Sequence, residues 1–261
     1  MIFLTGDCHG RFERFSKSQL IKLPHFIQPE DYVIVCGDFG LLWAKDRVFK
    51  YNMKQLSRLP FTILWVSGNH ENYNMIAEYP LELWNGGKVR HIIRDKVILL
   101  ERGQAFNIEG KSFFAFGGAS SHDIQGGILD KDSPTYDEDR MRAVRSGLPY
   151  RVRNESWWEQ ELPTEEELQV GRKTLSRLGY SVDYVITHCM SGNMQDKLLD
   201  RYKYGRYGSS FQKDVLTDYF DELEEKLRYK WWFCGHYHEE LRLDDRHVIL
   251  YENIVRLNDF Q

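Results

Sequence analysis

The chain has 261 residues, 42% hydrophobic and 28% charged, enough to bury a sizeable core beneath a charged surface. A formal net charge of −4 argues against a general nucleic-acid coat while leaving room for a local basic groove. No apolar run approaches the roughly 18 residues that span a bilayer. Ile2-Phe3-Leu4 is broken at once by Thr5-Gly6-Asp7 without a basic start, so a cytoplasmic protein with no membrane partner is expected.

The first third repeats one rhythm three times. Apolar runs at Ile2 to Thr5, Tyr32 to Cys36 and Thr62 to Val66 lead into Gly6-Asp7-Cys8-His9-Gly10, Gly37-Asp38-Phe39-Gly40 and Ser67-Gly68-Asn69-His70-Glu71. β-Branched, nearly continuous runs fit strands buried on both faces. Asp46 to Leu59 between them carries an apolar helical stripe. Strand, loop, helix, strand implies parallel strands with right-handed crossovers, and such sheets build their sites at the carboxyl ends of strands.

Val89 to Ile93, Val97 to Leu100, Ala105 to Ile108 and Ser112 to Phe116 read as shorter strands, with Glu109-Gly110-Lys111 as a hairpin turn. Residues 119–163 show no clean period and read as an irregular insertion or lid. Thr164 with Glu167 three residues on opens a helix to about Leu178. Tyr184 to Thr187 is a strand ending at His188, and Phe211 to Leu227 a helix. Trp231 to Cys234 is a strand ending in Gly235-His236-Tyr237-His238, followed by short strands at Leu241 to Leu243 and Val248 to Tyr251.

Five strand ends thus deliver donors: Asp7 and His9, Asp38, Asn69, His188, and His236 with His238. Carboxylate, imidazole and amide oxygen suit Mn, Fe or Zn. In a β-like backbone residues two apart point the same way, so Asp7 and His9 are expected to grip one ion, and His236 and His238 to face the site together unless a bend aims them at different ions. Each piece alone has an ordinary reading as a turn or a helix cap. Their coincidence at five strand ends is what carries the metal reading. Cys8, Cys36, Cys189 and Cys234 form no C-x-x-C pair and read as free thiols filling space at strand ends.

Asp7-Cys8-His9, Gly37-Asp38, Gly68-Asn69-His70-Glu71, Thr187-His188 and Gly235-His236-Tyr237-His238 resemble the five blocks of the calcineurin-like metallophosphoesterase family. The resemblance implies an α/β fold, a four-layer α/β-β/α sandwich built as one domain over 1–261. It also implies a dinuclear centre of two divalent ions, Mn expected with Fe or Zn as alternatives. Asp7, His9 and His238 would hold one ion, Asn69, His188 and His236 the other, and Asp38 would bridge them. A metal-bridging hydroxide would then attack phosphorus, and His70 would donate a proton to the leaving oxygen or stabilise the transition state. The plainer alternative makes His70 a residue that orients a neighbour. Phe39-Gly40-Leu41 follows the second block where protein serine/threonine phosphatases carry Asp-Arg-Gly. The Phe116-Gly117-Gly118-Ala119 turn and the Trp-Trp pair are similar to a bacterial and phage subgroup.

Two segments are candidates for substrate contact. Arg140, Arg142, Arg145, Arg151 and Arg153 precede Trp157-Trp158, and Arg201-Tyr202-Lys203-Tyr204-Gly205-Arg206 interleaves bases with aromatics. Arg140, Arg142, Arg201 and Arg206 are the positions singled out, against the alternative of a solvated helical face and a surface loop. The expected activity is hydrolysis of a phosphorylated small molecule or nucleotide-like ester. A nuclease acting on single-stranded DNA or RNA, or a non-catalytic scaffold with the same fold, are the rivals.

Overall fold

The computed structural model describes residues 1–202, 211 and 213–260. Its strands are β1 (Ile2–Thr5), β2 (Tyr32–Val35), β3 (Thr62–Trp65), β4 (Glu82–Trp84), β5 (Gly87–Ile93), β6 (Val97–Leu100), β7 (Gln104–Ile108) and β8 (Lys111–Phe116). They continue with β9 (Ile128–Leu129), β10 (Arg151–Val152), β11 (Tyr184–Thr187), β12 (Trp231–Cys234), β13 (Leu241–Arg242), β14 (His247–Ile249) and β15 (Val255–Arg256). Helices are α1 (Lys17–Leu20), α2 (Arg47–Leu56), α3 (Tyr73–Ala77), α4 (Tyr136–Arg145), α5 (Glu165–Arg177), α6 (Gly192–Arg201) and α7 (Val215–Lys226). No helix among the described residues is long and apolar enough to cross a membrane.

Two large sheets carry the fold, in the orders β15-β1-β2-β3-β6-β5-β4 and β13-β14-β12-β11-β8-β7. The strands that end at candidate ligands lie side by side and parallel: β1, β2 and β3 in one sheet, β11 and β12 in the other. Strand alternation divides the interior into three apolar cores. Ile2, Leu4, Ile34 and Leu64 of the first sheet meet Phe113, Ala115, Ile186 and Phe233 of the second. Phe3, Val33, Val35 and Trp65 face the other way, onto Phe15, Leu56, Met75 and Ile76. Phe114, Phe116, Val185 and Trp232 pack under Leu168, Leu175, Leu216, Phe220 and Leu223 of α5 and α7. Helices, sheet, sheet, helices is the four-layer arrangement expected, and each buried Leu, Ile or Phe contributes roughly 1.5–3 kcal/mol through burial.

Local signals fix several boundaries. Thr164 and Glu167 form the reciprocal capping box at the start of α5. Glu109 and Gly110 both have positive φ, 50° and 74°, as a two-residue hairpin turn needs, and β7 pairs β8 across it. The helix expected from Phe211 begins only at Val215, because Asp214 caps it by accepting from the Leu216 and Thr217 amides. The 119–163 stretch is more regular than its sequence suggests. It holds α4, a short parallel pair of β9 with β10, and a 3-10 turn at Glu159–Glu161.

Candidate metal centre

Thr5, Val35 and Trp65 sit level across the first sheet, so the loops after β1, β2 and β3 start from one row. Those loops and the ones after β11 and β12 bring the candidate ligands together. Asp7, Asp38, Asn69 and His188 are each buried to within 1% exposure, whereas His9 and His236 are half-buried and His238 is exposed. His238 Nε2 lies 3.1 Å from Asp7 Oδ2 and 3.0 Å from His9 Nε2. Asp38 Oδ1 lies 3.3 Å from His188 Nε2, and Asn69 Oδ1 lies 3.2 Å from the same nitrogen. The His236 ring stands 4.9 Å from that of His188, centroid to centroid.

The convergence does not arise from strand alternation. His9, Asp38, His236 and His238 adopt left-handed backbone conformations, with φ of 46°, 46°, 69° and 51°. Each costs on the order of 1–3 kcal/mol for a residue with a Cβ. The strands stop at Thr5 and Cys234, and these turns then aim the side chains. Asp7 and His9 do converge, within 3.8 Å, but through a left-handed turn rather than the β-like backbone expected, and His236 and His238 follow the bend.

Backbone and side-chain contacts lock the set. The amides of Cys8 and His9 donate to the Asp38 carbonyl at 2.9 and 2.8 Å. The His70 amide donates to Asp38 Oδ1 at 2.7 Å, and the His236 amide to Asp7 Oδ1 at 3.0 Å. His188 Nδ1 lies 2.8 Å from the Cys36 carbonyl, which places the proton on Nδ1 and leaves Nε2 free to act as a donor atom. Arg14 was missed by the sequence reading. It braces the first loop from behind, donating to the Asp7 and Tyr251 carbonyls at 2.6 Å each.

The donor set fits cations. Three overlapping groups have ligand atoms within 4.8 Å of one another: Asp7, His9 and His238; Asp7, Asp38 and His188; and His9, Asp38 and His70. Glycines keep the space open. A Cβ on Gly68 would lie 2.1 Å from Asp38 Oδ1, and one on Gly37 2.1 Å from His188 Nδ1. Charge tells the same story. Burial lowers the His188 pKa, but Asp38 and Asp7 outweigh it and raise it to about 9, so buried carboxylates draw positive charge to this point. Burial alone would raise Asp38, yet His188 holds its carboxyl far below the usual range.

His70 sits at the rim, its ring 4.9 Å from that of His9. Burial pushes its pKa down to about 4, with Arg151 adding to the effect against Asp38, so the ring is neutral near pH 7. Arg151 and Asp123 reach it from the 119–163 stretch, and nothing in their local sequence marked that contact. Arg142 instead lies at the solvent face of α4, paired with Asp139 at 2.6 Å. Arg140 is exposed on the same helix and Arg201 exposed at the end of α6. Among the described residues no hydrogen bond or ion pair joins Arg140, Arg142 or Arg201 to the cluster, and Arg206 lies outside the described residues. Trp158 is fully buried with its ring 5.4 Å from Trp43, so it offers no open face for stacking. Trp43 takes that position, lining a cavity of about 330 Å³ with His9 and His70. A second cavity of about 700 Å³ opens on His122, His236 and His238.

Residues 1–240 match the calcineurin-like phosphoesterase family. Lariat debranching enzymes of Gallus gallus and Homo sapiens are similar to the chain, 23% identical over 263 residues and 22% over 262. Both alignments cover 91% of this chain but 42% of the relative, so the chain spans well under half of their length. Among solved structures, the phosphopantetheinyl hydrolase from Mycobacterium tuberculosis matches with a TM-score of 0.44 and 15% identity, over 92% of this chain and 83% of that one.

Proposed function

Because the chain belongs to the calcineurin-like phosphoesterase family, we propose that it is a metal-dependent phosphoester hydrolase with a dinuclear centre. The observation that carries this reading is the sharing of Asp7 and Asp38 among overlapping donor groups, with Asn69 beside His188. One ion would rest on Asp7, His9 and His238, a second on Asn69, His188 and His236, with Asp38 common to both. A mixed oxygen and nitrogen set of this kind suits Mn, with Fe or Zn as alternatives. When bound, such ions supply the Lewis acidity that makes water nucleophilic near neutral pH.

The chain's own residues do the rest. Asp38 is held in place by accepting from the His70 amide, so the putting-together of both halves depends on one carboxylate. His70 stands beside His9 at the mouth of the Trp43 cavity, where it can meet the leaving oxygen. Hydrolysis of an aryl phosphate with added Mn²⁺, lost on chelation, tests the reading. Absence of turnover on both a monoester and a diester with Mn, Fe or Zn would refute it.

A second reading, a phosphodiesterase or nuclease acting on single-stranded DNA or RNA, has one structural argument in its favour. The Trp43 cavity adjoins His9 and His70, while the larger cavity adjoins His236 and His238, and the two share no lining residue. A phosphorus atom at the cluster could therefore carry a substituent on each flank. The lariat debranching relatives add to this reading by their name. Cleavage of single-stranded RNA that fails when Arg201, Lys203 and Arg206 are neutralised would support it. The four buried free cysteines suit the cytoplasmic setting proposed here.

A further inference from the structure

We propose that Arg151, delivered by the 119–163 insertion, holds the leaving-group oxygen of the substrate together with His70. The inference rests on the hydrolase reading above. It makes the insertion a working part of the site.

Arg151 lies on β10 and is only 7% exposed, unusual for a guanidinium. Its plane is fixed from behind. Nε donates to Asp123 Oδ1 at 2.8 Å and Nη2 to Asp123 Oδ2 at 2.7 Å, the two parallel bonds that lock a guanidinium onto a carboxylate. Nη1 donates to the Ser156 carbonyl at 2.9 Å. The outer edge of Nη2 then faces His70, 3.2 Å from Nε2 and 3.4 Å from Nδ1. Near-equal distances to both ring nitrogens mean that Nη2 faces the ring edge as a whole, without commitment to one lone pair. Nη2 has one N–H on Asp123 and turns its other toward the His70 ring, so that second N–H is placed to donate to an incoming oxygen. An oxygen that approaches His70 on the side of Arg151 comes within reach of this N–H as well.

In the reaction, the oxygen of water forms the new bond to phosphorus. The ester P–O bond breaks with its electron pair on the leaving oxygen, which finally takes one of the water's protons. Arg151 donates a hydrogen bond to that oxygen as negative charge builds on it. A fixed donor aimed at developing charge contributes on the order of 10²–10³ in rate.

The test compares the Mn-loaded wild-type chain with Arg151→Met and Arg151→Lys on a series of aryl phosphates whose phenols differ in acidity. Bound metal is measured by elemental analysis and folding by thermal melting. Arg151→Met is expected to lose about 10²-fold in kcat on the phenyl ester and about 10-fold less on the p-nitrophenyl ester, whose oxygen needs less help. The dependence on leaving-group acidity steepens, KM and metal content hold, and Arg151→Lys recovers part of the loss. A uniform loss across the series, or an unchanged dependence, overturns the proposal and makes Arg151 a structural ion-pair partner. If Arg151→Met does not fold, the same comparison on Arg151→Lys decides. A wild-type chain inert on every ester would instead sink the hydrolase reading on which the proposal stands, and the proposal with it.

Discussion

His9 and His238 bring their Nε2 atoms to 3.0 Å of each other, and Asp7 Oδ2 lies 3.1 Å from the second of them. Two neutral imidazoles that both turn lone pairs inward would repel, so this arrangement needs a proton or a cation between them. The two residues come from loops 229 positions apart in the chain. A metal ion at this point would tie the loop after β1 in one sheet to the loop after β12 in the other.

Metal binding is accordingly expected to stabilise the fold. An ion at one hundred times its dissociation constant adds about 2.7 kcal/mol. Thermal melting with and without Mn²⁺ should show a clear rise in Tm for the wild type, reversed by a chelator. His238→Ala should keep the metal-free Tm, because the residue is exposed, and lose most of the gain.

The glycines beside the ligands give a second expectation. A Cβ on Gly235 would stand 2.1 Å from Asp7 Oδ1 and 2.6 Å from the Cys36 carbonyl. Gly235→Ala should therefore displace Asp7 and lower metal affinity by an order of magnitude or more, in line with the sensitivity of ligands to their supporting contacts. Gly110→Ala meets nothing within 4 Å and strains only its φ of +74°, so it should cost about 1–2 kcal/mol in stability and leave metal affinity alone. Isothermal titration of both variants with Mn²⁺ separates the two effects.

Glu161 predicts a pH dependence. Its Oε2 accepts from Ser121 Oγ at 2.7 Å, Ser121 in turn meets Asn69 Nδ2 at 3.4 Å, and Oε1 is buried with no hydrogen-bond partner among the described residues. Burial raises its pKa from 4.5 to about 8, against the hydrogen bond from Ser121. The folded chain then keeps a proton that the unfolded chain gives up above about pH 4.5. This contribution to stability is full below pH 4.5 and is lost as pH rises towards 8, with a slope of at most about 1.4 kcal/mol per pH unit. Urea unfolding of the metal-free protein at pH 5 and pH 8 should show the wild type losing more stability than Glu161→Gln. Equal losses would place a charged Glu161 in the fold.

The thiols give a prediction of inertness. All four cysteines are buried, and burial pushes Cys8 up to about 12 despite the pull of Arg14. Iodoacetamide at pH 8 should label none of them in the folded protein and all of them in urea. Rapid labelling of the native chain would contradict the packing around Asp7 and His9.

Much of this was legible because strands buried on both faces write continuous apolar runs, as Ile34 and Val35 or Ile63 and Leu64 do, and the chemistry stands where each run stops. The capping box at Thr164 was equally plain, since a hydroxyl and a carboxylate three apart satisfy two amides at once. Helix α4 was not legible: Ala143 is its one buried residue, while Met141 and Val144 face solvent, so no apolar stripe marks it. The turns at His9, His236 and His238 were hidden because a left-handed residue other than glycine leaves no compositional trace. Arg151 was one arginine among several, and burial behind a two-bond pairing with Asp123 distinguishes it from Arg142, whose pairing with Asp139 leaves it in solvent.

The most direct test of the account is a titration of metal-free protein with Mn²⁺, following bound metal and turnover of an aryl phosphate in the same samples. The account predicts activity that rises to a plateau at two ions per chain and falls to background on chelation, with Asp38→Asn losing binding and turnover together. Full activity at zero or one ion per chain, or an Asp38→Asn variant that binds two ions and turns over normally, would contradict it.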